Sequence, residues 1–150
     1  MRGRLASAAR QHVVGLYNLP TSNPLECRIQ VTTLLHNCSW MGVWNDINDE
    51  DKGVKWFSRP EIPRFIYHFF YATPQSPGRQ SFLADMYTDR VTPPMLALVA
   101  TALNLALKEW AKGTKQSPAL DFKRELFIGD YSWSHNVPEA SLTWCSFRYI

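Results

Sequence analysis

Apolar and polar positions divide the chain into helical stretches separated by loops rich in proline and polar residues. The longest stretch runs from Thr92 to Gly113. Met, Leu, Ala, Val and Trp fill nearly all of it, and Thr101, Asn104, Lys108 and Lys112 share one narrow face of a 3.6-residue period. Both ends are marked. Thr92 suits an N-cap, and Pro93 suits the first helical position, where any N–H would be unpaired. Lys108 and Lys112 place positive charge at the negative end of the dipole, and Gly113 suits a left-handed C′ residue. A helix over about 93–112 that is apolar around most of its girth predicts other helices packed around it.

The remaining segments are shorter. Leu5, Ala8, Ala9, His12, Val13 and Leu16 recur at helical spacing and predict a first helix ending near Gly15–Pro20. Asn23-Pro24-Leu25-Glu26 predicts a second start, with Asn23 as N-cap, Pro24 at N1 and Glu26 reaching back as in a capping box. That helix would carry Leu25, Ile29, Leu34 and Leu35 as its apolar residues. Ile62, Phe65, Ile66, Phe69 and Phe70 share a third helical face, which Pro63 permits only from within the first turn. Ser81–Tyr87 reads as a short helical turn and Ala119–Ile128 as a short helix, while beyond Gly129 no period organises the aromatic residues. No strand pair stands out. The pattern predicts an all-α fold: an irregular four- to five-helix bundle around the 93–112 helix. A single helical domain would span residues 1–128, with a poorly organised tail over 129–150.

Composition narrows the function classes. The net charge of +3 comes wholly from Arg2, Arg4 and Arg10, because 13 basic residues face 13 acidic ones from Glu26 onward. A neutral body is a poor electrostatic footprint for nucleic acid. Cys27, Cys38 and Cys145 are odd in number and lack CxxC spacing, which disfavours a disulfide scaffold or zinc site and predicts a reducing, intracellular location. The acid-free, Arg-rich start also has the flavour of a mitochondrial presequence, although an ordinary first helix with a basic end is the simpler reading. No membrane span is predicted, since the apolar run 95–107 is broken at Thr101 and Asn104 and falls short of the roughly 20 residues needed.

Chemistry-bearing constellations are scarce. The acidic stretch from Asp46 to Gly53 fails the calcium-loop test, because the sixth position is Asp51 and the twelfth Phe57. His12, His36, His68 and His135 lie one per segment without metal-ligand spacing, and no phosphate-cradling or nucleophile motif occurs. No metal or cofactor is predicted. The candidate binding residues are Thr101, Asn104 and Lys108 of the polar stripe, together with His68 of the aromatic segment. The stripe is either the solvated edge of its helix or one wall of a groove against that segment. Arg59, Arg64, Arg79 and Arg90 interleave with Trp56, Tyr67, Tyr71 and Tyr87 as in single-strand binders, yet Glu61, Asp85 and Asp89 offset them.

One resemblance rests on Phe65-Ile66-Tyr67-His68-Phe69-Phe70, Phe82-Leu83-Ala84-Asp85-Met86-Tyr87, Ala97-Leu98-Val99-Ala100-Thr101-Ala102 and Glu109-Trp110-Ala111-Lys112-Gly113. Together with Arg10, Leu16-Tyr17 and Phe122, these resemble a family of mushroom-forming fungi known as domain of unknown function 6532, over roughly residues 5–125. The resemblance implies a helical fold and a fungal, intracellular origin, and it transfers no active site. The family would continue after Phe122 with a helix bearing a Tyr and later Leu residues. The aperiodic tail here therefore reads as a variant or truncated domain end. These observations predict a non-catalytic protein-interaction module. The alternatives are a small enzyme assembled from Asn104, Lys108, His68 and Glu109, and a nucleic-acid-associated protein.

Overall fold

The computed structural model describes residues 2–44, 54–55, 57–79 and 91–117. Most of these belong to four helices: α1 (Arg2–Leu16), α2 (Pro24–Leu35), α3 (Glu61–Phe70) and α4 (Pro93–Lys108). Among the described residues the extended pairing is minimal, β1 (Val43–Trp44) running antiparallel to β2 (Val54–Lys55). The class is all-α. The expected acidic loop at 46–53, the turn at 81–87, the helix at 119–128 and the tail at 129–150 lie outside the described residues.

Helix α4 packs against α1, α2 and α3, most extensively against α1. From Met95 to Leu107 every side chain is buried except half-buried Leu98 and Asn104, as the apolar girth requires. Thr92 is extended and makes no side-chain cap bond. The prolines at 93 and 94 carry no N–H, so two of the unpaired donors of a first turn are absent rather than capped. The regular helix stops at Lys108, short of the expected 112. Tight i−3 bonds follow from Trp110 to Leu107, Ala111 to Lys108 and Gly113 to Trp110, ending at left-handed Gly113 with φ +86°. A Cβ on Gly113 would lie 2.0 Å from the Pro24 carbonyl oxygen, so this glycine also lets α4's exit touch the start of α2.

The other helices begin and end for legible reasons. Helix α1 buries Leu5, Ala9 and Val13 and closes with Asn18 at φ +50°, a left-handed residue that asparagine tolerates. The Leu19 N–H donating to Val14 O at 2.9 Å completes a Schellman-type cap. In α2, Asn23 Oδ1 accepts the Glu26 N–H at 3.3 Å, which is one half of a capping box. The reciprocal half differs from expectation, because the Asn23 N–H donates to Pro20 O. The apolar face of α2 differs too. Cys27, Val31 and Leu34 are buried, whereas Leu25 and Ile29 are 66% and 58% exposed. In α3, Pro63 sits in the first turn, and Ile62, Phe65, Ile66 and Phe70 face the core.

Candidate functional site

Thr101, Asn104 and Lys108 lie along α4 in order of increasing exposure. Thr101 is buried and its hydroxyl donates to Ala97 O at 2.8 Å, an intrahelical bond that satisfies it. Asn104 is half-buried, and Lys108 is exposed in the last turn. His68 belongs to a different locus, the outer seam between α1 and α3. There its ring stacks on His12 with centroids 5.7 Å apart and planes 14° from parallel. Tyr67 meets His68 edge-on at 6.1 Å, and His12 also meets Phe65 edge-on at 6.4 Å. Spacing alone puts His12 with the core residues of α1, yet it is exposed at the rim, where a polar ring keeps contact with water.

Glu109 enters the enzyme reading as a reactive group, and the structure places it in an ion pair. Its side chain is 1% exposed, and Arg10 Nε donates to its Oε1 at 2.8 Å. A buried carboxylate demands such a partner, and removing one member of such a pair typically costs about 3–5 kcal/mol. The bond joins the middle of α1 to the exit of α4. The only hint in the sequence is an acid at the end of an apolar helix and an arginine in an acid-free one.

Sequence reasoning also missed a polar clamp where α1 ends and α3 begins. The Tyr17 hydroxyl donates to Trp40 O at 3.0 Å, Gln30 Nε2 donates to Tyr17 O at 2.7 Å, and Arg59 Nε donates to Ser39 O at 2.8 Å. Burial pushes the Tyr17 phenol well above its usual range; the Glu61 carboxylate raises it further and the Arg59 charge opposes. In its neutral form the phenol keeps the proton that it donates to the Trp40 carbonyl. Burial likewise raises the Cys27 thiol, which leaves it a small core residue rather than a reactive thiolate. These groups bond mainly to backbone carbonyls, so the clamp anchors the 39–41 and 57–60 segments.

Among the described residues, no three His, Cys, Asp or Glu side chains gather closely enough to hold a metal ion. No described helix is long and apolar enough to cross a membrane. The arrangement defines a helical domain whose buried polar groups fasten its helices to one another. The chain belongs to the family described as Domain of unknown function (DUF6532), which matches residues 1–134. No curated protein and no solved structure matches the chain.

Proposed function

We propose that this domain is a non-catalytic protein-interaction module. The observation that carries the reading is the outer face of α2, where Leu25 and Ile29 stand one turn apart at 66% and 58% exposure. A helix that buries Cys27, Val31 and Leu34 on one side and keeps two large aliphatic residues in water on the other offers an apolar step to a partner. Thr101, Asn104, Lys108 and His68 remain secondary candidates, of which Lys108 and His68 are exposed enough for a partner to touch. The reading sets the module inside the cell, consistent with the buried thiol of Cys27.

The test is proximity labelling with the wild-type chain and a Leu25→Glu/Ile29→Glu variant, each shown to be folded by circular dichroism. The reading expects a defined set of protein neighbours that the variant loses. Identical neighbour sets would overturn it. The enzyme alternative predicts instead a metabolite-induced thermal shift that Lys108→Ala abolishes.

A further inference from the structure

We infer that His12 and His68, on the outer seam of α1 and α3, form a site for a divalent first-row transition-metal ion, at a surface independent of the α2 face. The first support is the chemistry of the pair. Imidazole is the commonest metal ligand among side chains, and it suits zinc, copper and nickel. Both histidines are exposed, so an ion reaches them directly from water. Among the described residues, no hydrogen bond occupies a nitrogen of either ring. The spacing of the histidines along the chain hides this pair, because its members come from different helices and only the packing of α1 on α3 joins them.

The second support is distance. The ring centres lie 5.7 Å apart, wider than the ~3.5–4.0 Å of direct face contact. An ion about 2.0 Å from one nitrogen of each ring sets ring centres roughly 5–6 Å apart, which is the separation observed. Each exposed ring turns about χ2, a torsion with a broad minimum, to aim a nitrogen at the shared point. The rings themselves are already gathered. His12 rests edge-on against Phe65 at 6.4 Å, and Tyr67 meets His68 edge-on at 6.1 Å, so little ordering is left for the ion to impose. Among the described residues no third ligand joins the two imidazoles, so they fill half of a tetrahedral shell and water completes it from the open side. Arg64, exposed one turn before His68, opposes the ion's charge. The half-filled shell and this arginine set the affinity in the micromolar range, well short of a structural zinc site. Bound there, the ion ties α1 to α3.

The experiment is calorimetric titration of the full chain with zinc chloride, paired with thermal unfolding. One zinc per chain should bind, and Tm should rise by about 5 °C at roughly 100 times Kd, because the native state gathers the imidazoles that the unfolded chain keeps apart. His12→Ala and His68→Ala should each weaken binding by at least about tenfold, since a lost ligand costs no less than a lost partner of a ligand. Each should also abolish the rise in Tm. Both positions are exposed and helical, so unchanged circular dichroism will show that the fold is intact. His36→Ala/His135→Ala should bind zinc like wild type. Magnesium should leave Tm unchanged, because it takes oxygen ligands. The Leu25→Glu/Ile29→Glu variant should bind zinc like wild type, which separates failure here from failure of the protein-interaction reading. The proposal is overturned by absence of binding up to about 1 mM zinc. It is equally overturned by wild-type zinc affinity in either single variant, by loss of binding in His36→Ala/His135→Ala, or by an equal rise in Tm with magnesium.

Discussion

Helices α2 and α4 start alike and end up in opposite surroundings. Each opens at a polar residue followed by proline, and each is dominated by apolar and small uncharged side chains. Yet α4 is buried over almost its whole surface, whereas α2 hides one stripe and leaves Leu25 and Ile29 in water. The difference lies in neighbours. Helix α4 is packed by α1, α2 and α3, while the inward side of α2 carries Cys27, Val31 and Leu34 against α4 and the turn that follows it. Apolar content thus states how much surface a helix could bury, and tertiary placement decides how much it does.

The sharpest way to break this contrast is at the joint between the two helices. Gly113→Ala forces an L side chain into φ +86° and drives its Cβ to 2.0 Å from the Pro24 carbonyl, a backbone atom that cannot swing aside. A loss of about 4 kcal/mol is expected, combining left-handed strain with displacement of α2. Calorimetry should show this as a fall in Tm of about 12 °C, and a fall under 3 °C would refute the close approach.

Leu103→Ala, fully buried in α4, should cost about 3 kcal/mol by urea denaturation. Tyr17→Phe should cost about 1 kcal/mol at neutral pH through loss of the bond to Trp40 O. It also has a pH signature. The folded phenol holds its proton above the unfolded value near 10, so its contribution is complete below pH 10 and declines as pH rises further. Wild-type stability should therefore fall in alkali more steeply than that of the phenylalanine variant; parallel pH profiles would sink this account. The smallest effect belongs to the counterpart of Leu103 on α2. Ile29→Ser should change stability by less than about 0.5 kcal/mol in the same urea assay. A loss approaching that of Leu103→Ala would mean that α2's outer face is covered.

Much of the fold was legible because its signals are local. Asn23-Pro24, Pro63 in a first turn, Pro93 and left-handed Gly113 each act within a few residues of themselves, and each acts where the spacing places it. The inward residues of α3 followed from a clean 3.6-residue period. What escaped depends on distant partners. Leu25 and Ile29 have the same chemistry as buried residues, and only the position of α4 leaves them outside. The Arg10–Glu109 pair and the His12–His68 stack join segments whose proximity no local pattern encodes. The stripe on α4 was visible as a pattern, but its gradation from buried Thr101 to exposed Lys108 needed the neighbouring helices.

The bond between Arg10 and Glu109 spans 99 positions of the chain. A ribosome adding roughly 5–20 residues per second needs about 5–20 s to make that much polypeptide. Throughout that interval Leu5, Ala9 and Val13 exist without the helix against which α1 packs most extensively. Assembly is therefore timed by translation, and slowing or speeding the ribosome between α1 and α4 should change the yield of folded protein without altering a single side chain.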